Sequence, residues 1–257
     1  MIRFALLGDP VAHSLSPQMQ NAALNQMGVI GEYTAIQVDA KSFERVVEEL
    51  REQKFVGANV TIPHKELAFN IASARDEAST ELNVANTLKF GDEVECINTD
   101  VPGFLAALGA CDPGTALVLG AGGAAKAAVW ALANEGWSVR VWTRTPEMAH
   151  SICIWDNVVA VETPDVGDCD LVVNATPVGL KPGEVPPANW AQLKEGAVVF
   201  DLAYRDEPTD LLKLAANAGA KVIDGREMLV EQGALSLEWW LNKTVPRDAM
   251  RRAVGLS

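Results

Sequence analysis

Lys65 and Asp100 are the residues best suited to chemistry, the charged members of a set that is otherwise neutral: Ser14, Ser16, Asn59, Thr61, Asn86, Thr87, Asn98 and Thr99. Hydroxyls and amides both donate and accept, so such a set can hold a polyhydroxylated small molecule through many neutral hydrogen bonds. One ammonium and one carboxylate then process it by proton transfer. Each member also has a structural reading. Ser14 and Ser16 could cap a helix that opens at Pro17, Asn86 could stand in a turn, and Asp100 could cap a helix that opens at Val101. Their common position favours function: in an open α/β sheet, ligands bind outside the carboxyl ends of the strands, and these residues follow strand-like runs.

The elements that must position them alternate. Ile2 to Leu7 reads as a buried strand broken by Gly8-Asp9-Pro10, and the Pro17 helix follows, reaching about Met27-Gly28. Tyr33 to Val38 is a strand, and Ser42 is expected to cap a helix whose Phe43, Val46, Val47 and Leu50 share one face. Val56 to Ile62 is the third strand, followed by a helix from Glu66 to about Ala72 and a short one over Asp76 to Leu82. Ala85 to Lys89 and Val94 to Ile97 pair around Gly91-Asp92, and Val101 to Leu108 is a helix. Such alternation predicts a mainly parallel sheet. His64, beside Lys65, is a tempting base, but a strand end and Pro63 flank it, and a structural role is expected.

A second centre of gravity is Leu117-Val118-Leu119-Gly120-Ala121-Gly122-Gly123-Ala124-Ala125, a strand that ends in glycines and opens into the alanine-rich helix Lys126 to Ala133. Gly120 would make the turn, Gly122 would let the backbone approach a pyrophosphate, and Ala125 would let helix and strand pack closely. The phosphates would sit on free N–H groups at the helix N-terminus. The next strand, Ser138 to Trp142, ends at Thr143-Arg144-Thr145 where an acidic residue would hold a ribose diol. Arginine there suits a 2′-phosphate, hence NADP rather than NAD. Leu171 to Asn174, Val198 to Leu202 and Val222 to Asp224 continue as strands, Lys181 to Pro187 as a surface loop. Arg226 to Lys243 forms a long helix whose Trp239-Trp240 belongs in a core.

The totals narrow the class. The 257 residues suffice for two domains, and 49% hydrophobic with 21% charged residues describes a globular chain. A net charge of -13 without a basic run argues against nucleic acid and leaves an anionic cofactor to local donors. Cys96, Cys111, Cys153 and Cys169 lack Cys-x-x-Cys spacing, so neither a metal cluster nor a disulfide framework is expected. Met1 to Leu7 is too short for a signal peptide, no window reaches the ~20 apolar residues of a membrane span, and a cytoplasmic location is expected.

Several strings together are specific: Ala12-His13-Ser14-Leu15-Ser16-Pro17, Asn59-Val60-Thr61-Ile62-Pro63-His64-Lys65, Asn86-Thr87, Asn98-Thr99-Asp100, Gly120-Ala121-Gly122-Gly123-Ala124, Asn174-Ala175-Thr176-Pro177, and Asp224-Gly225 through Met228-Leu229 with Gln232. In their order and over nearly the whole chain, they resemble the shikimate dehydrogenase family. The resemblance implies a two-domain α/β enzyme that reduces 3-dehydroshikimate to shikimate with NADPH. It implies a discontinuous substrate-binding domain, residues 1–100 plus 233–257, and a Rossmann-type NADP-binding domain, residues 101–232. By match of motif, Lys65 and Asp100 are the catalytic pair, and Ser14, Ser16, Thr61, Asn86, Tyr204 and Gln232 bind the substrate. Gly120, Ala121, Gly122, Gly123, Ala124, Thr143, Arg144, Thr145, Thr176, Gly225 and Met228 hold the cofactor. No metal is implied, the expected partners are small molecules, and the chain is expected as a monomer or homodimer. Asn83-Val84-Ala85 and Glu227 depart from the small residues common in the family at those places. A quinate/shikimate dehydrogenase that uses NAD is the nearest alternative; paired Ser14 and Ser16 with Arg144 favour the biosynthetic enzyme. A catalytically silent NADP-binding regulator is a second, and it would need neither Lys65 nor Asp100.

Overall fold

A computed structural model describes residues 1–256. The chain forms two compact units, one made of Met1–Gly103 with the chain from Leu229 onward, the other of Phe104–Met228. In the first, β1 (Ile2–Gly8), α1 (Ser16–Gln26), β2 (Gly31–Gln37), α2 (Phe43–Glu52), β3 (Gly57–Val60) and α3 (Lys65–Ile71) alternate. They are followed by β4 (Ala74–Arg75), α4 (Glu77–Leu82), β5 (Thr87–Phe90), β6 (Val94–Ile97) and the start of α5 (Asp100–Leu108). The sheet order is β2-β1-β3-β5-β6-β4. β1 pairs parallel with β2 and β3, and β4 with β6, while β5 runs antiparallel to both β3 and β6. The tight β5–β6 connection allows only that direction.

Local chemistry explains the helices. Pro17 sits in the first turn of α1, where its missing N–H costs nothing. Asp76 is extended and accepts the Ser79 N–H at the head of α4, and Asn83 ends that helix in the left-handed conformation, which asparagine tolerates. At α2 the expected cap is corrected. Ser42 already has helical dihedrals and its hydroxyl caps nothing; its own N–H goes to the Asp39 carboxylate, one turn back. Phe43, Val47 and Leu50 are buried as expected, with Val46 at the margin of the same core.

The second unit contains β7 (Thr115–Leu119), α6 (Gly123–Asn134), β8 (Ser138–Trp142), α7 (Pro146–His150), β9 (Val158–Ala160) and β10 (Leu171–Asn174), then β11 (Val198–Asp201), α8 (Asp210–Asn217) and β12 (Lys221–Asp224). Its sheet is parallel throughout in the order β12-β11-β10-β7-β8-β9. That is the doubly wound dinucleotide-binding order, with its switch point between β7 and β10. Ala116 to Leu119 and Leu171 to Val173 are fully buried, as strands covered on both faces must be.

α9 (Gly225–Leu241) and α10 (Arg247–Ala253) complete the chain. In the first unit Trp240 stacks on Phe4 at 4.8 Å between ring centroids and donates its indole N–H to Leu88 O at 2.9 Å. Trp239 is half-buried, with the Lys89 ammonium over its ring.

Candidate active site

Lys65 is the first residue of α3 and Asp100 the first residue of α5. Their side chains meet as an ion pair, Nζ to Oδ2 at 2.5 Å, and both are largely withdrawn from solvent. The other carboxylate oxygen accepts from Asn86 Nδ2 at 2.9 Å. Asp100 is spared capping duty by Asn98, whose Oδ1 accepts the N–H groups of Asp100 and Val101. Asn86 stands in no mere turn. Its side-chain carbonyl accepts the Thr99 N–H at 2.8 Å, and its amide nitrogen also lies 3.3 Å from Gln232 Oε1.

Beneath Asn86 is a fully packed polar layer. Ser236, one turn beyond Gln232 on α9 and wholly buried, accepts from Asn59 Nδ2, lies within hydrogen-bond distance of the Thr87 and Thr99 hydroxyls, and donates to Gln232 O. Tyr33 donates its hydroxyl to Asn59 Oδ1. Burial holds that tyrosine far above its ordinary range, so it stays a donor. Sequence reasoning missed Ser236 and Tyr33; the four-residue step from Gln232 to Ser236 was the available signal for the former.

Lys65, Asn86, Asp100 and Gln232 therefore form one bonded group. Thr61 N–H donates to Leu7 O where the ends of β1 and β3 run side by side, and Ser14 Oγ accepts the Ser16 N–H in the loop after β1. So Ser14 does serve the start of α1, while the hydroxyls of Ser16 and Thr61 make no hydrogen bond among the described residues and remain available to a ligand. His64 is fully buried, and its Nε2 donates to Val38 O at 2.5 Å while its ring lies against Phe43. It fixes the entry to α3, in line with the structural role expected of it.

In the second unit Gly120 follows β7 with φ +114°, and a Cβ there would sit 2.8 Å from Ala175 O. Only glycine fits this crossing of the β7 and β10 loops. Gly122 heads α6 in extended conformation without a side-chain cap, and a Cβ on it would meet nothing within 4 Å. The first-turn N–H groups of α6 are therefore open to an anion. Thr143, Arg144 and Thr145 follow β8; Arg144 is exposed and forms no ion pair among the described residues. Thr176 follows β10, Tyr204 follows β11, and Gly225 and Met228 lie in the first turn of α9. Among the described residues no group of three or more His, Cys, Asp or Glu could hold a metal ion, and no helix is long and apolar enough to cross a membrane.

A parallel sheet in dinucleotide-binding order, joined to an α/β unit bearing a lysine–carboxylate pair, defines an oxidoreductase of the two-domain Rossmann class. Residues 6–88 match the shikimate dehydrogenase substrate binding domain, and residues 225–254 the shikimate 5′-dehydrogenase C-terminal domain. The chain belongs to the shikimate dehydrogenase family. It is 38% identical to the shikimate dehydrogenase (NADP(+)) of Anaeromyxobacter sp. (strain K), over 98% of this chain and 95% of that protein. It is 39% identical to the one from Thermus thermophilus, over 100% of both. A crystal structure of shikimate 5-dehydrogenase from the same species, in complex with NADP(H) and shikimate, matches with a TM-score of 0.93 at 37% identity, covering 99% of this chain and 98% of that one.

Proposed function

We infer that the chain catalyses the reversible, NADP-dependent reduction of 3-dehydroshikimate to shikimate on the route to chorismate and the aromatic amino acids. The observation that carries this reading is the Lys65–Asp100 pair, tied through Asn86 to Gln232. NADPH, when bound, supplies the hydride. Lys65, as an ammonium, donates a proton to the ketone oxygen as charge develops there, and Asp100 orients the resulting hydroxyl. In the reverse direction the same lysine, deprotonated, accepts that proton.

In this reading the first unit is the substrate domain, with Ser14, Ser16, Thr61, Asn86 and Gln232 binding the carboxylate and hydroxyls; Tyr204 is assigned to the substrate by match of motif. The second unit is the NADP domain. Gly120 to Ala124 cradle the pyrophosphate, Thr143 to Thr145 hold the adenosine 2′-phosphate with Arg144 as its charged partner, and Thr176, Gly225 and Met228 line the nicotinamide end. The open head of α6 and the exposed guanidinium of Arg144 suit this anionic group. The partners are small molecules, met by a monomer or a homodimer. The four cysteines are free thiols, which suits the reducing cytoplasm.

The test is an absorbance assay of nicotinamide reduction with shikimate and with quinate, each with NADP and NAD, on the wild type and on Lys65→Ala. Shikimate with NADP is expected to be the preferred pair. Lys65→Ala is expected to lower kcat by ~10²–10⁴ with a far smaller change in KM. A variant that keeps kcat within about threefold, well short of that range, would remove Lys65 from the chemistry.

A further inference from the structure

At the carboxyl ends of three neighbouring parallel strands, Asn174, Asp201 and Asp224 stand in register side by side. Two of them have evident partners: Arg226 grips both oxygens of Asp224 at 2.9 Å each, and Asn174 holds its own loop. Asp201, between them, is wholly buried and has no cation bonded to it among the described residues. Three donors converge on it instead. Oδ1 accepts from Asn174 Nδ2 at 2.7 Å and from the Ala203 N–H at 3.1 Å, and Oδ2 accepts from the Thr209 hydroxyl at 2.5 Å. A buried strand position needing only to pack could carry valine, as Val172 and Val199 do two residues earlier on the same strands, without the cost of burying a carboxylate.

Each donor leads to a working part. Asn174 turns its side-chain carbonyl to the Thr176 N–H and hydroxyl, at 3.1 and 2.7 Å. Ala203 directly precedes Tyr204. Thr209 caps α8 through the Leu212 N–H. We propose that Asp201 is a positioning residue whose carboxylate sets the Asn174–Thr176 turn and the Ala203–Tyr204 turn together, so that dinucleotide and substrate contacts depend on one group. This rests on the assignment of Thr176 to the cofactor and Tyr204 to the substrate. Burial, opposed by the three donors and aided slightly by the charge of the neighbouring Asp224, whose own partner is Arg226, pushes Asp201 up to about 6. A proton there leaves Oδ1 accepting as a neutral carbonyl, so the bonds from Asn174 and Ala203 weaken and both turns loosen.

The experiment uses the full chain carrying Asp201→Asn, which keeps the shape but makes the group neutral, so that the bonds from Asn174 and Ala203 to Oδ1 lose their charge assistance and Thr209 must turn from donor to acceptor. Dissociation constants for NADP and NAD are measured by titration without substrate, and steady-state constants with shikimate. The dinucleotide dissociation constant and the KM for shikimate should both rise, by about tenfold, as for charge-assisted hydrogen bonds weakened to neutral ones, while kcat at saturation stays within about threefold. Combined with Thr176→Val, the second substitution should add little for the dinucleotide. Affinity for NAD, which lacks the 2′-phosphate that itself ionises near pH 6, should weaken in the wild type as pH falls through about 6 and stay flat in the variant.

A folded Asp201→Asn protein that leaves both constants within twofold, while Thr176→Val weakens the dinucleotide, overturns the proposal and spares the cofactor reading. Thr176→Val without effect on the dinucleotide overturns that reading, and the proposal with it. Should Asp201→Asn fail to fold, Thr209→Val serves. It is expected to shift both constants in the same direction, with Thr209→Ser restoring them, and no shift again overturns the proposal.

Discussion

A carboxylate at the first residue of a helix ordinarily turns to the free N–H groups there, and Asp100 does not. Asn98 takes the N–H groups of Asp100 and Val101, anchored from behind by its own amide on Val84 O and by its N–H on the Asp76 carboxylate. Asp100 is thereby left to Lys65 and Asn86. Asn98→Ala should cost ~1 kcal/mol as a lost cap, lowering Tm by a few degrees, and should also let Asp100 fold back onto its own helix. We expect kcat to fall on the order of tenfold, more than a stability loss of that size explains. Asn98→Ser, which keeps a neutral capping oxygen, should restore part of it. Equal activity of the alanine variant and wild type would show that Asp100 is aimed without Asn98. At this scale the sequence was informative about which side chains matter and poor about who holds them: the spacing marks Lys65, Asn86 and Asp100, but the Asn98 cap is a local contest between two acceptors for the same N–H groups, settled only by packing.

The elements carry these residues through close helix contact in the first unit. A Cβ on Gly103 in α5 would lie 2.7–2.8 Å from the backbone and Cβ of Gln232 in α9, so the two helices touch backbone to side-chain root one turn beyond Asp100. Gly103→Ala must push Gln232 away, and Gln232 is bonded to Asn86. Overpacking of this kind costs ~1–3 kcal/mol. Because the displaced residue is assigned to the substrate, KM for shikimate should rise about tenfold or more while the dissociation constant for NADP is unchanged; an unaltered KM would remove Gln232 from substrate binding. The strands, the dinucleotide loop and the long helices are legible in the sequence because their apolar runs and glycine turns act locally. Less legible were β4, of two residues, β9, α7, α8 and α10. Each is short, and α10 buries only Ala249 and Met250 among its charged residues, so its place depends on packing rather than on a periodic pattern. Thr209, which caps α8 through its hydroxyl, was a signal open to reading.

For the whole molecule, acid has two opposite effects that fall in different pH windows. Asp201 is raised to about 6 from an ordinary 3.8, so the native state takes up a proton before the unfolded chain does. Its contribution therefore makes the fold more stable as pH drops from 7 through about 6 and is complete near 4. Relief of the net charge of -13 acts in the same sense. Surface carboxylates work the other way. Asp39, held by the Ser42 N–H, Asp168 by Arg140, Asp170 by Lys194 and Asp210 by the Gly183 N–H, all lie below their ordinary value. Their contribution is intact above pH 4 or so and is lost as the pH falls further. Stability should thus peak in mild acid, near pH 5. In denaturant melts the wild type is expected to gain on Asp201→Asn by about 1.4 kcal/mol between pH 7 and 5, the free energy of the one pH unit below the raised value. If Asp201 already binds its proton only below pH 4, the two proteins will keep a constant difference across that window, and its burial will have been outweighed by Asn174, Ala203 and Thr209.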